Sequence, residues 1–270
     1  MKAIYSFKKF KNSYKPLDDR FCKVAACGVK SVSQFYKTKL YTDSYGAHLF
    51  KSKGIEFDEV VISDDIEDYE GDLFCMPKLI SMMEQTEPYI HFDFDTILFE
   101  KIYSPHTITY AYWDLDLSNN PKTDQLDSMI YHYHSPYKKY IRDIFDDSFE
   151  PKWLRVPNHS FFMVKNPTYV AEKFKEIIQK LPEHTLEVCD APGLIEQFLF
   201  FQYLLVDGVD YGFVNKYATE DIINKTDGSY KLFHLFYYWV EEKKQDVNQI
   251  LDILLKRFEI DESIFKKQLT

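Results

Sequence analysis

No stretch of this 270-residue chain approaches the roughly 18 uninterrupted apolar residues that a membrane-crossing helix requires. Met1 to Phe10 alternates apolar with basic residues and lacks the apolar centre of a secretory leader. The expected compartment is therefore the cytoplasm, with membrane contact limited to a peripheral one through the aromatic and basic C-terminal third. No compact run of Lys and Arg is present either: 43 acidic residues outnumber 33 basic ones, for a formal net charge of −10. That balance excludes a protein whose affinity comes from neutralising nucleic-acid phosphates. An anionic substrate has to be met locally, by a bound cation or a few placed basic groups. Cysteine is scarce as well. Cys22, Cys27, Cys75 and Cys189 lack paired metal-ligand spacing, and a chain of this size needs no disulfide staples, so all four are expected to be reduced and structural. No internal repeat, low-complexity tract or Gly/Ser linker divides the chain, and residues 1–270 are expected to form one domain.

What is present is core-forming material: 45% of residues are apolar and 17% aromatic, ample for a packed interior. Strand-like and helical patterns alternate through the first half, the signature of a mainly parallel α/β sheet flanked by helices. Residues 2–7 read as a strand, 19–36 as a helix with Phe21, Val24, Ala25, Val29 and Val32 at helical spacing, and 39–42 as the next strand. A helix over 45–52 closes on Gly54, a candidate left-handed cap. A strand over 57–62, an acidic loop over 64–72 and a helix over 73–85 follow, and Pro88 ends that helix. Further on, 107–113 and 159–164 read as strands, 166–181 and 194–206 as helices, 211–214 and 230–234 as late strands, and 240–258 as a terminal helix.

The chemistry concentrates where the apolar strand Tyr89-Ile90-His91-Phe92 runs into Asp93-Phe94-Asp95. Open α/β sheets bind ligands at the carboxyl ends of their strands. Two carboxylates at i and i+2 aim at a common point if the second lies in a turn, and such a pair suits a hard cation. Mg²⁺ or Mn²⁺ takes oxygen ligands and is shared between one or two protein carboxylates and substrate phosphates. An acidic pair on the rim of a core also calls for a compensating charge.

The run from Thr86 to Phe99, TEPYIHFDFDTILF, resembles the metal-motif segment of GT-A type glycosyltransferases, in particular bacterial nucleotide-sugar-dependent sugar transferases with a DxD motif. Lys39-Leu-Tyr-Thr-Asp43 with Gly46, and Met76-Pro-Lys78, are similar to segments that precede that motif in the same order. The resemblance spans residues 20–100 well and the remainder loosely. It implies a Rossmann-like GT-A fold, with residues 1–105 as the nucleotide-sugar-binding half and 106–270 as the acceptor-binding half with a C-terminal helix. It implies Mn²⁺ or Mg²⁺ on Asp93 and Asp95, a UDP-sugar as the foremost donor, a glycan acceptor, and a setting in polysaccharide biosynthesis. Asp43 and Lys78 are implied on the donor side, where Lys78 is either a phosphate or sugar contact or an exposed helix lysine.

A histidine far downstream often completes the metal shell of such enzymes. His234 in Leu232-Phe-His234-Leu-Phe is implied there, with a core histidine bonded to backbone as the alternative; Lys231 beside it is a lesser phosphate candidate. Asn158-His-Ser160 resembles the polar turn that faces acceptor or sugar hydroxyls. Asp190 and Glu196 are the candidates for taking the acceptor's proton if the reaction inverts; a helix cap and a satisfied buried pair are the alternatives for them. Asp114-Leu-Asp116 is a second acidic pair, read as a strand exit or a sugar contact. The aromatic and basic run 131–140 is read as a packed helix or a carbohydrate-stacking surface. Two rival readings stand beside the transferase. One is a haloacid-dehalogenase-type phosphatase with Asp93 as nucleophile and Asp146-Asp147 as its later acidic pair; its motif belongs on a first strand, whereas three strand-like segments precede this one. The other is a non-catalytic nucleotide- or sugar-binding domain on the same scaffold.

Overall fold

A computed structural model describes residues 1–10, 17–71, 73–115, 156–181, 193–215, 232–234 and 244–265. The strands are β1 (Lys2–Phe7), β2 (Thr38–Thr42), β3 (Glu59–Ile62), β4 (Tyr89–Phe92), β5 (Thr96–Leu98), β6 (Ile108–Tyr110), β7 (Trp113–Leu115), β8 (Val156–Pro157), β9 (Phe161–Val164), β10 (Tyr211–Phe213) and β11 (Leu232–His234). The helices are α1 (Asp19–Ser33), α2 (Ser44–Ser52), α3 (Asp64–Glu67), α4 (Met76–Met83), α5 (Pro167–Lys180), α6 (Phe200–Asp207) and α7 (Lys244–Arg257). A π-helical segment, Gly193–Leu199, leads into α6.

Seven strands form one sheet in the order β10-β6-β9-β4-β1-β2-β3. All pairs are parallel except those made by β9, which runs antiparallel to both β4 and β6. Strands from both halves of the chain thus share one sheet. Two apolar clusters cover its faces. One holds Leu79, Tyr89, Tyr110, Phe162, Phe174 and Phe200 under α4, α5 and α6. The other holds Tyr5, Val29, Phe50, Ile90, Phe92 and Leu254 under α1, α2 and α7. Helices on both faces of a mainly parallel sheet are the arrangement that the alternating pattern predicts.

β1 lies between β2 and β4, so the connections leaving it and returning to it cross in opposite directions. In doubly wound sheets such a reversal, at the carboxyl ends of the strands, is the position where ligands bind. Apart from the seven-stranded sheet, β5 pairs antiparallel with β11, with His234 opposite Thr96 and Leu232 opposite Leu98.

Several local expectations shift. The acidic stretch 64–72 holds one helical turn, α3, whose first-turn Asp64 and Asp65 suit the positive end of a helix. The helix expected from residue 73 starts at Met76, with Pro77 in its first turn. The strand expected over 107–113 breaks at Ala111–Tyr112 into β6 and β7, and β7 leaves the main sheet to pair with β8. β5 was not foreseen, since three buried residues after a turn give no periodic signal. Cys22, Cys27 and Cys75 are free and buried, while Cys189, 131–140 and 146–147 lie outside the described residues. No described helix is long and apolar enough to cross a membrane.

Gly54 ends α2 at φ +65°, the conformation expected from the sequence, and Gly208 ends α6 at the same φ with nothing within 4 Å of an added Cβ. Gly54→Ala and Gly208→Ala should each lower unfolding free energy by about 1 kcal/mol, read from urea midpoints at constant m-value.

Candidate functional site

β4 is buried along its length, and its pleat divides its side chains between the two faces. Tyr89 packs in the cluster under α4, and Ile90 and Phe92 pack in the opposite one. The period of two carries Asp93 to the α4 side and Phe94 to the other. There the Phe94 ring stacks on Phe50 (5.0 Å) and Tyr5 (5.3 Å), with Phe21 edge-on. The Thr96 N–H donates to the Asp93 carbonyl at 3.1 Å, closing a four-residue turn that takes Asp95 out of the pleat, as the metal-pair reading requires. Ser160 clamps the turn: its carbonyl accepts from the Asp93 N–H at 2.8 Å and from the Thr96 hydroxyl at 3.0 Å.

Lys78, on the first turn of α4, is buried rather than the exposed alternative. Its ammonium donates to the His159 carbonyl at 2.9 Å and lies 3.0 Å from Asp93 Oδ1 and 3.2 Å from Glu196 Oε2. The Glu196 contact is an ion pair without the alignment of a hydrogen bond. Burial pulls the lysine's pKa down, but Asp93 and Glu196 overcome it and hold the pKa above the ordinary value. Asp93 Oδ1 is therefore anchored, while Oδ2 has no partner among the described residues and the side chain is 35% exposed. Glu196 reaches Lys78 from the π-helical segment, an irregularity that recurs at functional sites.

Two histidines flank this contact. His91 Nε2 pairs with Ser6 Oγ at 3.0 Å, and its Nδ1 lies 3.8 Å from Asp93 Oδ1. The His159 ring stacks on Phe162 at 4.6 Å and tilts against Tyr110 at 4.8 Å, with neither nitrogen hydrogen-bonded. Burial, then the Lys78 charge, depresses both pKa values well below the usual histidine range, so both rings are neutral at pH 7. Two carboxylates, Asp93 and Glu196, face the one ammonium of Lys78.

The remaining candidates sit as follows. Asp43 caps α2, accepting from the Gly46 N–H at 2.7 Å and from the Lys9 N–H at 3.0 Å; it lies at the carboxyl end of β2 with both oxygens engaged. Asn158 Oδ1 accepts from the Ser160 N–H at 2.9 Å, shaping the turn that delivers the Ser160 carbonyl. The backbone places His234 beside Thr96, next to Asp95. Asp190, Lys231 and Asp116 lie outside the described residues, and Asp114 is in β7. Among the described residues, no three His, Cys, Asp or Glu side chains converge on one metal position. The roles of His91 and Ser160 were not foreseen. His91 reads as a core residue in sequence, and a backbone carbonyl has no sequence signal.

Because His91 and His159 bind protons in the unfolded chain but not when folded, stability is fully present above the unfolded pKa of about 6.5 and falls as pH drops below it. His159→Phe should cost no stability at pH 7 and should flatten the fall between pH 6 and 5 by up to about 1.4 kcal/mol per pH unit, measured by denaturant unfolding across pH. Lys78→Met removes the buried ammonium that pairs with Asp93 and Glu196 and should cost about 3 kcal/mol, measured the same way at pH 7.

A search of curated proteins returns no match. Several solved structures are similar, two of them as follows. The apo-form glycosyltransferase GlyE of Streptococcus pneumoniae TIGR4 aligns with 97% of this chain and 61% of its own, at 11% identity and TM-score 0.39. A second GlyE structure from the same organism aligns with 93% and 63%, at 12% identity and TM-score 0.37. The chain spans about three fifths of the length of these proteins. Similarity at these values bears on neither activity nor ligand. Residues 20–260 match the family described as "Family of unknown function (DUF6734)", and the chain belongs to that family.

Proposed function

We propose that the protein is a metal-dependent glycosyltransferase of the GT-A type, moving a sugar from a nucleoside-diphosphate donor, a UDP-sugar foremost, to a hydroxyl of a glycan or other acceptor. One observation carries the reading. The Asp93–Asp95 turn lies at the carboxyl end of β4, beside the strand-order reversal, with one Asp93 oxygen anchored by Lys78 and the other without a partner among the described residues. The donor set fits Mn²⁺ or Mg²⁺: two hard carboxylates from one turn, with the remaining positions left to His234, phosphate oxygens and water.

In this reading Asp93 and Asp95 hold the ion, and His234 completes the shell from the strand paired to Thr96. When bound, the ion neutralises the diphosphate and acts as a Lewis acid on the leaving group. Lys78 keeps Asp93 Oδ1 in place, which leaves Oδ2 for the ion and makes the lysine a support rather than a phosphate hand. Asp43, Asn158 and Lys231 are assigned to the donor side. If the reaction inverts the anomeric centre, a carboxylate takes the acceptor's proton; Glu196 is already paired with Lys78, which favours Asp190.

Purified protein incubated with UDP-, GDP- and CMP-sugars should hydrolyse or transfer from one of them only when Mn²⁺ or Mg²⁺ is present. Asp95→Asn should abolish that metal-dependent donor binding while keeping a melting temperature within about 2 °C. His234→Ala should weaken Mn²⁺ retention tenfold or more and move the melting temperature less than it moves metal affinity. Turnover of simple phosphate esters without any sugar nucleotide would point to the phosphatase instead, and normal donor binding by Asp95→Asn would sink the assignment.

A further inference from the structure

The acidic turn is held from beneath by one helix face. A Cβ built on Gly28, in the middle of α1, would stand 2.2 Å from the Phe94 carbonyl oxygen, 3.1 Å from its carbon and 3.3 Å from the Thr96 carbonyl oxygen. All three are backbone atoms, and no rotamer change can move them aside. Phe94 C=O is the carbonyl of the peptide preceding Asp95, and the Thr96 carbonyl lies one residue beyond Asp95. Gly28 therefore touches the backbone on both sides of that carboxylate.

One turn along the same face, Ser31 is fully buried. Its hydroxyl donates to the Gly28 carbonyl at 2.7 Å and accepts from the Leu98 N–H at 3.0 Å. Just past the helix, the Tyr36 hydroxyl donates to the Ile102 carbonyl at 3.0 Å and accepts from the Ile102 N–H at 3.1 Å. α1 and the residues just after it thus meet the backbone of 94–102 at three successive points. A glycine in a helix interior costs about 1 kcal/mol relative to alanine, and at position 28 the contact with the turn supplies the reason for it.

We propose that Gly28 and Ser31 are positioning residues for metal binding, setting the height and direction of Asp95 by seating the turn backbone on α1. This rests on the metal reading of Asp93 and Asp95. A side chain at 28 would have to lift the turn by about 1 Å to reach ordinary contact distance, whereas metal–oxygen distances tolerate only about 0.2 Å. The effect on metal affinity should therefore exceed the effect on folding.

The test is Mn²⁺ titration, followed by the loss of free-ion electron paramagnetic resonance signal, alone and with UDP. The proteins are the unsubstituted chain, Gly28→Ala, Ser31→Ala, Asp95→Asn and Gly54→Ala, the last as a distant glycine control. All are compared at a temperature where each is folded. Gly28→Ala should raise the Mn²⁺ Kd tenfold or more and Ser31→Ala threefold or more, with Gly54→Ala unchanged. If Gly28→Ala does not accumulate as folded protein, the Ser31→Ala arm decides. Mn²⁺ binding that Asp95→Asn abolishes but that Gly28→Ala and Ser31→Ala leave intact overturns this inference alone. Failure of the unsubstituted chain to bind Mn²⁺ overturns the metal reading and this inference with it.

Discussion

The Lys78 ammonium, buried where three remote segments meet, is the contact that organises the site. Its neighbours within 3.2 Å are Asp93 at the end of β4, Glu196 in the π-helical segment before α6, and the His159 carbonyl ahead of β9. A buried charge is tolerated only when paired and hydrogen-bonded. The two carboxylates and the carbonyl must therefore converge if α4 is to pack on the sheet at all. The burial of α4's apolar side chains and the placing of Asp93 are thus one event, and the geometry of the candidate site is tied to the stability of the core. The same ammonium keeps His91 and His159 neutral by adding its repulsion to their desolvation.

Around that contact the acidic turn is held on every side by groups of different kinds. The Phe94 ring sits among Tyr5, Phe50 and Phe21, the Ser160 carbonyl takes two hydrogen bonds from the turn, and Gly28 lies flat beneath its backbone. The turn lies beside the strand-order reversal between β1 and β4.

Much of this was legible locally. The strand 89–92 and its two aspartates stand out because a buried strand is apolar throughout, and charges at its end require an explanation. The helix over 19–33 shows its period, Asp18 and Asn166 cap their helices as short polar side chains do, and Gly54 adopts the left-handed conformation its position suggests. β5 was hidden because three residues after a turn carry no period. The antiparallel course of β9 was hidden because strand direction depends on partners. Gly28 stood in plain view in the apolar face of α1, but a helix glycine names no neighbour.

The order of elements, the α/β class and the acidic pair at a strand's end are properties of neighbouring residues, and the sequence determined them by itself. Periodicity, caps and turn chemistry act within a few positions of one another. Whether Lys78 faces solvent or a carboxylate, which Asp93 oxygen it engages, and what lies under the turn were decided only when segments up to about 120 residues apart were packed together. Burial and distance are properties of the packed whole, and they turn an ordinary helix lysine into a paired interior charge.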